Sequence, residues 1–283
     1  MTHTSTSAGP VPAAPPAAPA TAGFRFDWGL AAVLAAAAFL LFCNLGQRPF
    51  WQDEAETACL AKNVLVHGLP YSFDGVNVVS QEEEREFDKV GGYLWRWSPW
   101  MQIYLQAAGF AVGGLDAAAG RVPFALAALV AVYWLHRLTR RHFGDRDLAL
   151  LAAILLTTCV PFLLIGRQAR YYAPGTLFVL WTLDAFLSDW QRKTLPLLAM
   201  FAGMALLFHA NYLLFLSFAP TALAAAFLVY PEKFHWKRLG WLVAATIALV
   251  MIPGILLYRI GSQSGMFDVL LVPENLMLYF ADL

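Results

Sequence analysis

The sequence predicts an all-α polytopic membrane protein with about seven transmembrane helices and a large first outer loop that carries interfacial helices. Composition gives the first indication, since 59% of the 283 residues are hydrophobic and only 13% are charged, against about a quarter charged in soluble domains. Mean hydropathy is +0.57. Apolar runs close to the length of a membrane span recur along the chain. The net charge is zero, so we expect no nucleic-acid partner.

The chain divides into three predicted regions. Residues 1–23 are rich in Pro, Ala, Thr and Ser and predict a disordered cytoplasmic tail without the basic start of a secretory signal. Residues 24–260 form one transmembrane domain, with an outer loop at 46–121, and residues 261–283 form an outer amphipathic segment. The three cysteines show no CxxC or Cys/His spacing, which argues against a zinc site or a disulfide framework.

Seven apolar runs are candidate spans, each near the roughly 20 residues that a bilayer requires. Pro161, Pro220 and Pro253 interrupt three of them, which transmembrane helices tolerate when neighbouring groups satisfy the backbone. The candidates are Trp28–Leu45, Val122–Leu138, Leu148–Ile165, Pro174–Ser188, Leu195–Phe208, Tyr212–Tyr230 and Leu239–Tyr258.

Basic residues predict the orientation. Clusters follow the second, fourth and sixth spans, and short loops rich in Lys and Arg stay cytoplasmic. This arrangement puts the N-terminus inside and the 46–121 loop outside. Counting the short run Pro99–Gly114 as a span would place the cluster after span two outside, so we interpret that run as an interfacial helix. The clusters are Arg137, Arg140, Arg141 and Arg146, then Arg192 and Lys193, then Lys233, Lys237 and Arg238.

The outer loop contains the highest density of ionisable groups. Asp53 and Glu54 open a stretch that runs to Val66 without Pro or Gly, and its spacing predicts a helix. In a first helical turn, acids can act as capping groups that complement the helix dipole. Alternatively, a carboxylate at the bilayer surface can act as a general base. The acidic run Glu82–Glu86 is predicted to be solvated.

Several motifs together resemble those of the GT-C membrane glycosyltransferases, in the branch of the protein O-mannosyltransferases and lipid A aminoarabinose transferases (glycosyltransferase family 39). The resemblance covers residues 25–190, the N-terminal half of such a protein. The motifs are Phe50-Trp51-Gln52-Asp53-Glu54-Ala55, Gly68-Leu69-Pro70-Tyr71, Ser98-Pro99-Trp100, Arg121-Val122-Pro123 and Gly166-Arg167-Gln168-Ala169-Arg170-Tyr171-Tyr172-Ala173.

The resemblance implies inverting transfer of a sugar from a polyprenyl-phosphate donor to a protein, lipid or glycan acceptor, on the outer face of a bacterial plasma membrane. Asp53, with Glu54, matches the acid that engages the acceptor, because a hydroxyl group needs a base to become a good nucleophile. Cations would stabilise the phosphate leaving group. The candidate substrate-binding residues are Arg167, Arg170, Tyr171, Arg121, Lys62 and Arg96.

Alternatives remain open at this level. Arg121, Arg167 and Arg170 could be anchors that fix helix depth. The loop at 166–173 contains no acid, whereas oligosaccharyltransferase-type relatives carry a second acidic pair there, so we expect a metal-independent enzyme without a cofactor. Members of the family are about twice as long, which leaves a truncated or noncatalytic subunit of a glycan-assembly system as the main alternative. A transporter is less favoured, because the ionisable groups lie mostly outside the spans.

Overall fold

The computed structural model describes residues 27–80, 86–229 and 235–260. The predicted tail at 1–23 and the predicted amphipathic segment at 261–283 lie outside these ranges. In the described part of the chain, the only regular structure besides helices is one pair of two-residue strands. The all-α prediction is therefore confirmed.

The helices follow one another with short connections. In chain order they are α1 Trp28–Phe42, α2 Gln52–His67, α3 Met101–Gly113, α4 Ala117–Phe143, α5 Arg146–Thr158, α6 Val160–Gly166, α7 Tyr172–Leu187, α8 Thr194–Ala210, α9 Tyr212–Val229, α10 Trp236–Thr246 and α11 Ile252–Tyr258. A π-helical turn, Ile247–Met251, joins α10 to α11. Strand β1 (Phe87–Asp88) pairs antiparallel with β2 (Leu94–Trp95) between α2 and α3.

Helix α4 is the centre of the bundle and packs against α1, α3, α5 and α7. The Asp116 carboxylate accepts a hydrogen bond from the Ala119 N–H at 2.8 Å, which caps the start of the helix. Gly144, at φ 73°, ends it in the left-handed conformation that glycine adopts readily. Ala125, Ala128 and Ala131 are fully buried, and such small side chains let neighbouring helices approach closely.

Each predicted span coincides with helix over most of its described residues. Among the described residues, α4 and the run Trp236–Tyr258 are long and apolar enough to cross a bilayer. Helices α5 and α6 meet the same criterion as a pair bent by 66°. Pro161 explains the bend, since it lacks the N–H that would continue the helix. The other four predicted spans, α1, α7, α8 and α9, are shorter apolar helices.

The loop between α1 and α4 folds into a cap. Helix α2 packs on α3, and α3 packs on α4, around a core that includes the buried side chains of Leu60, Trp95, Ile103 and Phe110. Helix α3 has 13 residues and coincides with the run interpreted as interfacial; its depth in a bilayer stays a prediction. The expectation of a solvated acidic run is wrong for Glu86, which is 1% exposed and accepts hydrogen bonds from the Ser80 hydroxyl. Residues 81–85 lie outside the described residues.

Candidate active site

The start of α2 presents Asp53 and Glu54 to different surroundings. Successive residues of an α-helix point about 100° apart, so the two carboxylates cannot share one environment. The Glu54 side chain reaches back to the N–H of Trp51 at 3.3 Å, an interaction typical of the first helical turn. The capping role predicted for these acids is therefore seen at Glu54.

Glu54 lies at the centre of a buried ion pair. Its side chain is fully buried, and Oε1 and Oε2 accept hydrogen bonds from Nε and Nη2 of Arg121 at 2.9 and 2.5 Å. Oε1 also accepts the N–H of Ala169 at 2.7 Å. Arg121 donates further to three carbonyl groups of the α1–α2 connection, those of Leu45, Arg48 and Pro49.

These contacts use all five N–H donors that an arginine has. A phosphate could bind Arg121 only by replacing one of them, so the geometry favours a structural role over the predicted substrate contact. Whether Arg121 also fixes the depth of the helix stays a prediction. Glu54 and Arg121 together join α2, α4 and the connection after α6. A buried charge pair of this kind is costly to break, because either partner alone would be left uncompensated.

Asp53 lies on the adjacent face and stays accessible. Its side chain is 32% exposed, and its Oδ2 is 3.2 Å from Nη2 of Arg170. Nη1 of Arg170 also donates to the Asp53 carbonyl and to Oγ1 of Thr57, each at 3.3 Å. The buried Nε of Arg170 has no acceptor among the described residues. The guanidinium lies over the ring of Tyr171, 5.2 Å from its centroid.

Glu56 is a further member of this cluster, and the sequence motifs do not identify it as a site residue. It lies three residues after Asp53, a spacing that brings two side chains to the same side of a helix. Burial raises the pKa of Glu56 to about 7; Arg170 opposes this rise, whereas Asp53 and Glu86 add to it. The i, i+3 spacing was the available signal, but the burial of Glu56 depends on distant parts of the chain.

Tyr171 contributes a neutral hydroxyl group. It precedes α7 and lies beside Tyr172, with 4.5 Å between the ring centroids. Burial, and then the hydrogen bond with Tyr172, raise the pKa of Tyr171 to about 12. The phenol therefore keeps its proton at neutral pH and can donate a hydrogen bond.

The remaining predicted ligands lie in other contacts. Nη1 and Nη2 of Arg167 donate to the carbonyls of Leu40 and Cys43 at the end of α1, at 2.8 and 2.6 Å. Lys62 pairs with Asp74 at 3.2 Å on an exposed face. Arg96 donates to the Leu257 carbonyl at 3.1 Å, and its Nε lies 3.6 Å from Asp88. The structure thus groups Asp53 with Arg170 and Tyr171, and the described contacts of Lys62 and Arg96 are elsewhere.

Within the described ranges, no group of three or more His, Cys, Asp or Glu side chains is arranged to hold a metal ion. The expected lack of a cofactor stays a prediction.

The described fold, a helical bundle with a folded loop between its first two predicted spans, is of the GT-C membrane glycosyltransferase type. The family model described as dolichyl-phosphate-mannose-protein mannosyltransferase matches residues 98–258, more than half of the chain. The chain belongs to this family.

A similar fold is found in ArnT from Cupriavidus metallidurans, whose crystal structure contains bound undecaprenyl phosphate. The two structures superpose with a TM-score of 0.63 at 16% sequence identity, over 83% of this chain and 42% of ArnT. The chain therefore spans less than half the length of that protein. No curated protein matches the chain.

Proposed function

We propose that the chain transfers a sugar from a polyprenyl-phosphate donor to a hydroxyl group of a protein, lipid or glycan acceptor, on the outer side of the membrane. The observation that carries the proposal is the pair of Asp53 and Arg170, joined at 3.2 Å at the head of α2. Family membership supports the reaction class, and the lipid phosphate bound to ArnT supports the donor class.

Asp53 is the general base of the proposed reaction. Its partly exposed carboxylate takes the proton of the acceptor hydroxyl while the hydroxyl oxygen attacks the anomeric carbon of the sugar. The bond between this carbon and the phosphate oxygen breaks at the same time, with inversion. The products are the glycosylated acceptor and the polyprenyl phosphate, and the proton stays on Asp53 until solvent removes it.

Arg170 stabilises the leaving group. Negative charge collects on the phosphate as the bond breaks, and a guanidinium held in place beforehand lowers the energy of that state. The Nε–H of Arg170 has no acceptor among the described residues but is buried, so in this proposal the guanidinium acts on the phosphate through its positive charge. Tyr171, whose ring lies against the Arg170 guanidinium, adds a neutral hydroxyl group beside it.

Glu54 has a positioning role in this proposal. The sequence predicted it as a second catalytic acid, but its oxygens accept hydrogen bonds from Arg121 and from the backbone of Ala169. These bonds hold the first turn of α2 against the connection that carries Arg170. Glu54 therefore determines where Asp53 lies relative to Arg170.

The test compares lipids and envelope glycans, by mass spectrometry, in cells that lack the gene and in cells that express a variant. We expect the wild-type chain and the control Asp147→Asn to restore a missing sugar, since Asp147 is an exposed acid on α5. Asp53→Asn, present in the membrane at the same level, should not restore it. Restoration by Asp53→Asn would overturn the general-base role.

The same experiment addresses the alternative of a noncatalytic subunit. The chain covers 42% of the length of ArnT, so a partner protein could supply the catalytic groups. In that case Asp53→Asn and the wild-type chain would restore the glycan equally, provided that the variant still assembles with the partner.

A further inference from the structure

A further feature of the described residues lies beside the Glu54–Arg121 pair. It is a groove of about 780 Å³ between the end of α1 and the short helix α6, within the roughly 300–1,000 Å³ of ligand pockets. Glu54 and Arg121 form part of its wall, whereas Asp53 and Arg170 are not among the residues that line it. The groove is therefore distinct from the proposed reaction site.

One wall of the groove is apolar and open to the surroundings. It is formed by side chains of α1 and α6, helices of the apolar bundle, and by the aromatic ring of Trp51. Phe39, Val160 and Leu164 are 67%, 61% and 60% exposed. Such large exposed side chains on membrane helices are suited to contact with a lipid chain. The remaining apolar lining residues include Leu40 and Leu163.

The rim of the groove is basic. Arg48, Arg121 and Arg167 line it against the single acid Glu54. Arg121 and Glu54 neutralise each other in their buried pair, which leaves two positive charges, those of Arg48 and Arg167. The bonds of Arg167 to the α1 carbonyls use two of its five N–H donors, so the others can bind an anion.

We infer that this groove binds one phospholipid with an anionic headgroup, its phosphate between Arg48 and Arg167 and an acyl chain along α1 and α6. The apolar wall suits a lipid of the surrounding leaflet, because both helices belong to predicted spans. The basic rim selects against a headgroup amine, since the one acid of the lining is already paired with Arg121. The bound lipid packs between α1 and α6 and supports the connection that continues from Arg167 to Arg170.

Native mass spectrometry of the purified full chain tests this inference, with phosphatidylglycerol and phosphatidylcholine as the test lipids. We expect one tightly held phosphatidylglycerol per wild-type chain and much weaker retention of phosphatidylcholine. The double variant Arg48→Gln/Arg167→Gln should lose at least tenfold in affinity for phosphatidylglycerol. The control Arg192→Gln/Lys193→Gln removes the same charge from the α7–α8 connection and should bind like the wild type.

Leu164→Trp provides a second variant that does not alter the rim. Because Leu164 is 60% exposed, the indole group should fill the groove without disturbing the core, and it should reduce phosphatidylglycerol retention. Wild-type retention by both Leu164→Trp and the double arginine variant would overturn the inference. Displacement of the lipid by stoichiometric undecaprenyl phosphate would also overturn it, because the groove would then belong to the donor.

Inorganic phosphate provides a further test. If millimolar phosphate displaces phosphatidylglycerol, and Leu164→Trp retains phosphatidylglycerol fully, the groove is a simple anion site, which would also contradict a lipid site. The lipid site and the proposed sugar transfer can be tested independently. Asp53→Asn should keep phosphatidylglycerol binding while losing sugar transfer.

Discussion

Adjacent carboxylates at the start of α2 have unlike surroundings. Glu54 is enclosed by Arg121 and a backbone N–H, whereas about a third of the Asp53 side chain is exposed beside Arg170. The chemistry of the site follows from this difference. A carboxylate whose oxygens already accept several hydrogen bonds, such as Glu54, cannot readily accept a proton from a substrate. The pattern of residues identified both acids and Arg170, but it could not distinguish the two acids, since their burial depends on α4 and on the connection after α6.

The first prediction concerns Glu54→Ala. The substitution leaves Arg121 buried without its counter-charge, so we expect a loss of about 3–5 kcal/mol in stability. Thermal unfolding of the purified protein in detergent measures it. Asp147→Ala serves as the control, since Asp147 is 93% exposed, and it should unfold at the wild-type temperature. Equal unfolding temperatures for Glu54→Ala and the wild type would show that the buried pair adds nothing.

The second prediction concerns pH. Burial raises the pKa of Glu56 from 4.5 to about 7, so the folded protein keeps a proton that the unfolded chain releases between these two values. The contribution of this proton to the free energy of unfolding is fully present below pH 4.5. As the pH rises from 4.5 to 7, the free energy of unfolding falls by on the order of 1–3 kcal/mol.

Glu56→Gln has no proton to lose at this position. We expect the unfolding temperature of the wild type to fall relative to that of Glu56→Gln between pH 5 and pH 8. Parallel pH profiles of the two proteins would contradict the assignment. Sequence alone could not predict this shift, because the burial of Glu56 and its approach to Arg170 and Glu86 arise only in the folded chain.

At the scale of the elements, the close contact between α3 and α4 depends on two glycines of α3, Gly109 and Gly113, which have no side chain. A Cβ atom at Gly109 would lie 2.2 Å from the Ala119 carbonyl oxygen, and one at Gly113 would lie 2.7 Å from the Ala119 Cβ. The backbones of the two helices therefore approach more closely than any larger residue allows. This contact holds the cap on the bundle, and with it the position of α2.

The third prediction compares two glycine substitutions within helices. Gly109→Ala forces α3 away from α4 and should destabilise the protein by about 1–3 kcal/mol. Gly240→Ala, in α10, meets no atom within 4 Å and should stabilise its helix by about 0.5–1 kcal/mol. Both changes are read from unfolding temperatures in detergent. A stabilising Gly109→Ala would show that the helices do not approach this closely.

Hydropathy predicted the positions of the bundle helices well, because it depends only on residues that are neighbours in the sequence. The prolines marked two of their irregularities: the 66° bend lies beside Pro161, and the π-helical turn lies before Pro253. Whether each proline would produce a bend or a π-helical turn could not be predicted. The break after α5 and the continuous path through Ile247–Met251 depend on how neighbouring helices accommodate the lost hydrogen bonds.

At the scale of the whole molecule, the described residues place polar contacts near both ends of helix α4. Arg121 lies near the start of α4, and Arg141, which pairs with the buried Asp184 at 3.1 Å, lies near its end. Twenty residues of helix separate them, about 30 Å, which is the thickness of the hydrocarbon core of a bilayer. The candidate site and the basic cluster thus lie near opposite ends of α4; that these ends reach opposite surfaces of the membrane stays a prediction of the Lys and Arg distribution. Which surface is outer is a prediction of the charge rule alone.

The fourth prediction tests that orientation. In a variant without Cys43, Cys59 and Cys159, single cysteines replace Val76, which is 84% exposed in the α2–α3 loop, or Asp147. A membrane-impermeant maleimide added to intact cells should label position 76, and it should label position 147 only after permeabilisation. The reverse pattern would place the candidate site in the cytosol and exclude the proposed reaction there.

The central claim is that Asp53 removes the acceptor proton while Arg170 holds the donor phosphate. Its most direct test is single-turnover transfer by the purified chain, with a polyprenyl-phosphate sugar and an extract that contains the acceptor. Asp53→Asn should slow transfer about 10²–10⁴-fold while binding the donor like the wild type, and Arg170→Ala should bind the donor more weakly. Wild-type turnover by Asp53→Asn would contradict the claim.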